Sequence, residues 1–545
     1  MTTPTQGTLD LEHEKLRKLS PFELKDVLIK LARDATPNKS TTSKMLNAGR
    51  GNPNWIATTP REAFNLLGEF ALQECKRVWD EPDFAGMPRP GGIATRLATF
   101  LQNHSSKGAR FLSQAVSHGV DSLGFEGDPF VHELVNAIIG DTYPEPDRIL
   151  IHTEKIVRAY LDQELFDKRP PPGRFDYFAT EGGTAAMCYL FNALKTNHVL
   201  NPGDTIALGT PIFTPYLEIP RLRDFSLNVV NVEASAMQNG FPTWQYPEAE
   251  LRKLEDPKVK AFFLVNPSNP PSMAMNESAH RQLELLVRTK RPDLILLTDD
   301  VYATFVPGFR SLAATLPRNT IVVYSYSKHF GCTGWRLGAI GIHEDSVIDQ
   351  IIAHHPESIR DELHLRYESL TESPDKMKFI DRCVADSRMV ALNHTAGLSL
   401  PQQVQMSLFS LFGMLDDGLA YKERCRAIVQ SRLESLARGL GVEVPSMPLR
   451  AGYYVELDLQ AWGIRNFGPT FHEYVQAHYD PLDIVLALAR HFGIVLLNGS
   501  GFDGPPWSVR VSLANLPSED YEPIGAALME VARKAVDEWR RNAAH

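Results

Sequence analysis

The chain has 545 residues, of which 43% are hydrophobic and 22% charged. That is an ordinary globular balance at a length that predicts two packed domains, or one large α/β domain with a smaller companion. A formal net charge of −10 with no basic tail or stripe speaks against a nucleic-acid partner. Five scattered cysteines without metal-ligand spacing, a start ("MTTPTQGTLDLEHEKLRK") without the apolar core of a signal peptide, and no membrane-length apolar run together predict a soluble, cytoplasmic, metal-free protein.

Taken in chain order, "SPFELKDVLIKLARDA" reads as a helix that Ser20 can cap, with Pro21 in the first turn and Glu23 completing a capping box. "MLNAGRGNPNW" is too rich in Gly, Pro and Asn for regular structure. Residues from about 60 to 165 read as mainly helical, broken at "DFAGMPRPGG" and "TYPEPD", and "KRPPPG" is a stiff entry to a new unit. There the rhythm changes. "FDYFAT", "TIALG", "AFFLV", "LILLTDD" and "IVVYS" are short apolar runs without alternation, as buried parallel strands are. Helices such as "TAAMCYLFNALK" and "NESAHRQLELLVRTK" lie between some of them, which predicts an open α/β sheet covered on both faces. Further on, the helices "QQVQMSLFSLFGMLDD" and "YKERCRAIVQSRLESLARGL" lead to the strands "GYYVELDL", "GIVLLNG" and "SVRVSLA", an α+β portion closed by "EPIGAALMEVARKAVDEW". The expected divisions are 1–60 (N-terminal helix, arm and loop), 61–150 (helical part), 151–395 (large domain) and 396–545 (small domain).

Ligands of open α/β sheets sit outside the carboxyl ends of the strands, and four of those ends carry polar groups. In "FATEGGTAAM", Gly182 and Gly183 allow a tight turn and Thr184 opens a helix, so free N–H groups and the helix dipole offer an anion site. The same letters also suit a plain strand-to-helix turn. "LVNPSNPPS" holds two asparagine amides rigid ahead of prolines, which is also what a turn does. Asp299 and Asp300 end the strand "LILLTDDVY", where a carboxylate is costly unless a cation or donor meets it. No further carboxylates or histidines follow, which makes a metal the weaker choice. Lys328 follows the apolar strand in "YSYSKHFGCTGWRLGAIG", where desolvation favours a nucleophilic amine, while Arg336, Ser325 and Ser327 can donate to a phosphate. A solvated surface charge is the ordinary explanation of any one of these, but it must hold at four strand ends at once.

Together these residues resemble the fold-type I family of pyridoxal-phosphate enzymes, the aspartate aminotransferase class, from "LNAGRGNPN" to "SVRVSLANL". The resemblance implies a large domain with a mostly parallel central sheet and a smaller α+β domain built from both termini. It implies that Lys328 is catalytic and carries pyridoxal 5'-phosphate as a Schiff base. Arg336 and Ser325 would hold the cofactor phosphate, with Ser327, Gly183 and Thr184 beside them. Asn269 and Tyr302 would bond the ring oxygen, Asp299 the ring nitrogen, and Phe213 would stack on the ring. Arg510 would clamp the substrate α-carboxylate, with Asn269 also on the substrate side. Pro271 and Ser272 depart from the family's usual letters after Asn269. Tyr143 resembles the tyrosine that reaches a neighbouring subunit's phosphate, implying a homodimer at minimum and a larger homo-oligomer of such dimers.

Within that family, "SPFELKDVLIKLA", "LNAGRGNPNW", "EGGTAAM" and "FIDRCVADSRMVALNHTAGLS" resemble the aspartate 4-decarboxylase branch. This implies conversion of L-aspartate to L-alanine and carbon dioxide, with secondary transamination. Arg50, in the glycine-rich loop, is the candidate contact for the β-carboxylate, and Arg388 is a second. The alternatives are an aspartate aminotransferase and, in a different class, a non-catalytic binding or regulatory protein on the same fold.

Overall fold

In this computed structural model residues 14–35, 44–83, 85–390, 392 and 396–543 are described. The apolar runs become the interior of a seven-stranded sheet. Its strands are β2 (Phe175–Thr180), β3 (Thr205–Thr210), β4 (Asn228–Glu233), β5 (Val259–Val265), β6 (Ile295–Asp299), β7 (Thr320–Ser325) and β8 (Gly338–His343). Their order across the sheet is β2-β8-β7-β6-β5-β3-β4. Four pairings are parallel (β4 with β3, β3 with β5, β5 with β6, β6 with β7), and β8 runs antiparallel to both its neighbours. Every residue of β2, β6, β7 and β8 is buried, because helices cover both faces and leave no side for polar alternation.

The strand β8 is an element that the apolar runs do not announce, since glycines interrupt it. Both glycines are sterically required. A Cβ at Gly338 would stand 2.7 Å from the Gly182 backbone, and one at Gly341 would stand 2.7 Å from the Tyr177 ring. The reversed direction of β8 matters for the site. It starts at the edge where β7 ends, so the segment from Lys328 to Arg336 stays over the carboxyl ends of the parallel strands.

Helices of the expected 60–165 region form a layer beside this sheet: α2 (Thr58–Arg77), α3 (Ile93–Gln102), α4 (Lys107–Asp121), α5 (Gly127–Ile139) and α6 (Ile151–Leu165). Ser106 caps α4 by accepting from the Ala109 N–H at 3.1 Å. Leu67, Leu97, Leu112 and Leu134 bury one core there. Leu400, Val404, Leu408 and Leu411 of a later helix, Leu400–Met414, enter that same core.

Both chain ends build the second unit. Its three-stranded antiparallel sheet has the order β9 (Tyr454–Asp458), β12 (Ser508–Ser512), β11 (Leu497–Asn498). The short strand β1 (Leu46–Asn47) pairs in parallel with β10 (Ile494–Val495). The helix α1 (Pro21–Ala35) supplies Leu24 and Leu28 to a core shared with Leu436, Val485, Val511 and Ile524. The pairing of β1 carries the loop that follows it, Ala48–Asn54, toward the edge of the large sheet. No helix among the described residues is long and apolar enough to cross a membrane.

Candidate active site

A cavity of about 310 Å³ lies where the carboxyl ends of β2, β3, β5, β6 and β7 meet the small-domain strands β9 and β12. Gly183, Thr184, Phe213, Asn269, Asp299, Tyr302, Ser325, Ser327, Lys328, Arg336 and Arg510 all line it, together with Gly51, Asn52 and Tyr454. An apolar cavity of about 270 Å³ between Trp462, Phe471 and Trp507 brings together none of the groups singled out in the sequence.

Lys328 is half-buried, and its ammonium donates to the Gly51 carbonyl at 2.9 Å. The Tyr453 hydroxyl donates to that same oxygen at 2.8 Å. Lys328 Nζ also stands 5.8 Å from the centroid of the Tyr453 ring. Asp299 ends β6 and is 8% exposed. Its carboxylate accepts from the Val301 N–H and the Tyr216 hydroxyl, each at 3.3 Å, so its hydrogen-bond partners are neutral. Burial pushes the carboxyl up to about 6, against the opposing pull of those two bonds and the Lys328 charge. Asp300 points elsewhere. It is fully buried, bonds to Thr298 and Ser311, and is pushed by burial up to about 7. It does not line the cavity, so of the two adjacent carboxylates only Asp299 faces that space.

At the open end, Arg336 is exposed and adopts φ of 55°. It donates to the Thr333 carbonyl at 2.8 Å. The turn Gly182–Gly183 lies against it: a Cβ on Gly182, whose φ is 89°, would stand 2.6 Å from Arg336 Nη2. The helix opened here, Gly183–Thr196, turns its first N–H groups to the same edge. Ser325 Oγ and Ser327 Oγ are 3.0 Å apart beneath it. This end is therefore a cradle for an anion, with a guanidinium, hydroxyls and a helix N-terminus converging.

At the closed end, Arg510 is 2% exposed on β12. It donates to the Asn269 side-chain oxygen at 3.2 Å and to the Gly49 carbonyl at 3.0 Å, while its Nε is buried without a hydrogen-bond partner. The guanidinium lies 4.4 Å from the Tyr454 ring centroid and 4.7 Å from that of Phe502. Asn269 Nδ2 donates to the Tyr302 hydroxyl at 3.5 Å, which in turn donates to the Tyr454 hydroxyl at 3.4 Å. Tyr454 and Tyr216 are parts of the site that the sequence reading does not name. Tyr454 was hidden in "GYYVELDL", which reads as core, although it sits two residues from Glu456, the partner of Arg510 across the β9–β12 ladder.

Three candidates lie outside the cavity. Arg50 is exposed, but the residues flanking it touch the site: the Gly49 carbonyl meets Arg510 and the Gly51 carbonyl meets Lys328. Arg388 is not brought to the cavity. It is buried, ion-paired with Asp147 at 3.0 Å, and donates to the Asp147 and Ala396 carbonyls. With those partners its guanidinium is committed to holding the segment around 147 and 396, in a separate cleft. Tyr143 is 67% exposed, away from this chain's own cavity.

Comparison with known proteins follows the same lines. Residues 177–528 match the family model "Aminotransferase class I and II". The chain is 45% identical over 532 residues to the bifunctional aspartate aminotransferase and L-aspartate beta-decarboxylase of a Pseudomonas species, covering 97% of this chain and 98% of that one. It is 32% identical over 164 residues to an aspartate aminotransferase of Rhizobium meliloti, 29% of this chain and 38% of the relative. Among solved structures, an aromatic aminotransferase from Pyrococcus horikoshii superposes with a TM-score of 0.56 at 15% identity, covering 92% of this chain and all of that one. A Thermus thermophilus aspartate aminotransferase variant gives 0.53 at 16% identity, over 98% and 100%. At those identities the likeness is one of fold. The fold-type I expectation, with its mostly parallel sheet and helices, is met, and the chain belongs to the class I and II aminotransferase family.

Proposed function

We propose that the chain binds pyridoxal 5'-phosphate in this cavity and removes the β-carboxylate of L-aspartate as carbon dioxide, giving L-alanine, with transamination as a secondary activity. The observation that carries this reading is the similarity along nearly the whole chain to a relative named for both activities. Members of the family use pyridoxal phosphate, and the residues present fit it. Asp299 is a buried carboxylate whose bonded partners are neutral, Arg510 keeps an unpaired buried Nε, and the Gly182 turn leaves space beside Arg336 that a Cβ would fill.

Bound there, pyridoxal phosphate supplies an aldehyde for covalent attachment and a sink for electrons released at substrate carbon. Lys328 would hold it covalently and, once exchanged for the substrate amine, move the Cα proton. Asp299 would keep the ring nitrogen protonated, because a cation there offsets the desolvation of its carboxylate. Arg336, Ser325, Ser327, Gly183 and Thr184 would take the phosphate, Asn269 and Tyr302 the ring oxygen, and Phe213 offers the aromatic surface. Arg510 presents two donors to a planar α-carboxylate, and Asn269 steadies it from the side. Arg50 is kept as the contact for the β-carboxylate, since its loop is anchored to both Lys328 and Arg510.

The working unit in this reading is at least a homodimer, with Tyr143 serving the neighbouring subunit. A cytoplasmic setting is part of it, supported by five cysteines that are all free. The test is aspartate supplied alone, without an oxo acid. Stoichiometric carbon dioxide and alanine are expected. Release of oxaloacetate only on addition of an oxo acid would reduce the enzyme to an aminotransferase.

A further inference from the structure

Loss of the β-carboxylate leaves an electron pair on carbon that must be protonated, and in the reading above Lys328 moves a different proton, the one at Cα. We propose that the Tyr454 hydroxyl is the acid that protonates the carbon from which carbon dioxide departs. This rests on the decarboxylase reading above. In the step, the C–C bond to the carboxylate breaks and its electron pair stays on the β-carbon. That pair takes the Tyr454 proton to form a C–H bond, and the resulting phenolate recovers a proton from water.

Four observations place the group. Tyr454 is 2% exposed and lines the cavity beside Lys328 and Arg510. A methyl group on Gly51 would lie 2.6 Å from its hydroxyl oxygen and 3.3 Å from Lys328 Nζ, so phenol and amine face the same small space. The Arg510 guanidinium covers one face of its ring at 4.4 Å, because Tyr454 and Arg510 project from the same face of the β9–β12 ladder. Finally, it ends a relay in which Asn269 donates to Tyr302 and Tyr302 donates to Tyr454, so the Tyr454 proton is the one left for a ligand.

The charged and titratable groups facing it are Lys328 after β7, Arg510 on β12, Tyr302 after β6 and its neighbour Tyr453. Burial pushes the phenol up, but Lys328, then Arg510, then the bond from Tyr302 bring it below the ordinary tyrosine value. Tyr302 and Tyr453, equally enclosed, are instead driven up. A phenolate is thus tolerated at Tyr454, as a proton donor requires.

Two measurements test this on full-length protein and its Tyr454→Phe variant. With tyrosine labelled by ¹³C at Cζ, NMR titration of the cofactor-free chain should show one tyrosine ionising below the rest, and the variant should lack that signal. With cofactor bound and L-alanine in deuterated water, the parent should exchange both α and β hydrogens, and the variant should lose β exchange at least tenfold more than α exchange. Aspartate decarboxylation should fall with the β exchange. Equal losses at α and β, or no early-ionising tyrosine, would overturn the assignment. Because alanine has no β-carboxylate to lose, β exchange reads Tyr454 without the decarboxylase reading. A parent that exchanges β hydrogens but releases no carbon dioxide from aspartate defeats that reading, whereas undiminished β exchange in the variant defeats Tyr454.

Discussion

Asp299 is a cavity-lining carboxylate enclosed with neutral hydrogen-bond partners. Its folded-state carboxyl sits at about 6, above the range of an unfolded aspartate, because burial outweighs its two neutral hydrogen bonds and Lys328. A raised carboxyl favours the protonated folded state, so its contribution is complete below the unfolded value and is lost as pH rises through about 6. At about pH 8 the cofactor-free chain therefore carries a penalty of up to roughly 3 kcal/mol from this group. Asp299→Asn keeps an oxygen for the Val301 N–H, turns its amide N–H toward the Tyr216 oxygen, which can accept, and removes the charge. The cofactor-free variant should be the more stable protein in urea at about pH 8, with the gain vanishing toward about pH 4. A gain of equal size at both pH values would mean the effect is packing and not charge. Arg50 gives a second residue-level expectation. If it meets the β-carboxylate, Arg50→Ala should slow aspartate decarboxylation about tenfold or more, the worth of a charge-assisted contact, and spare alanine half-transamination. Equal losses with both substrates would make Arg50 a support of the loop between Gly49 and Gly51. Lys328 and Asp299 were legible in the sequence because a charged group at the end of an apolar strand is costly without a partner, and Arg336, which is exposed, because a guanidinium near serines and glycines suits an anion. Tyr454 was not, because a tyrosine pair on a short strand reads as core, and only the pairing of β9 with β12 brings it under Arg510.

Elements decide which of those strand ends converge. Of the parallel strands, the edge strand β4 is only part-buried and of mixed composition, whereas β3, β5, β6 and β7 were readable as apolar runs without alternation. The strand β8 was not, because its glycines answer to close neighbours, the Gly182 backbone and the Tyr177 ring, that lie far away in sequence. The helix Leu400–Met414 was readable as a helix, yet nothing local says that its apolar face joins the core of Leu67 and Leu134. At the turn from β2 into the helix Gly183–Thr196, conformation and space coincide. Gly182 has φ of 89°, which costs an L-residue about 1–2 kcal/mol, and a side chain there would displace the Arg336 guanidinium. Gly182→Ala should therefore weaken cofactor binding about tenfold or more, read by fluorescence titration of the cofactor-free chain. Gly203→Ala is the control: its φ is +91° but a Cβ there meets nothing within 4 Å. The same loss of affinity in both variants would assign the effect to backbone strain and not to Arg336.

At the scale of the whole molecule, one chain brings Arg336, Arg510 and Lys328 to a single cavity, but Tyr143 stands two-thirds exposed outside it. In the proposed dimer the hydroxyl of one subunit completes the phosphate site of the other, as an isologous two-fold arrangement allows. This makes a prediction that no single-chain account shares. Lys328→Ala removes the amine of a site in its own subunit, whereas Tyr143→Ala removes a donor from the partner's site. Purified separately, the first variant should be inactive and the second impaired. Mixed in equal amounts under conditions that let subunits exchange, random pairing makes half the dimers hybrid. Each hybrid holds one site with both defects and one with neither, so about a quarter of all sites should regain parental character. The measurement is decarboxylation per mole of subunit in the equilibrated mixture, compared with the mean of the two variants assayed apart. Activity equal to that mean, with exchange confirmed by mass spectrometry of isotope-labelled subunits, would place Tyr143 at no shared site. Activity rising above it with the time course of exchange would show that each cavity is completed across the interface.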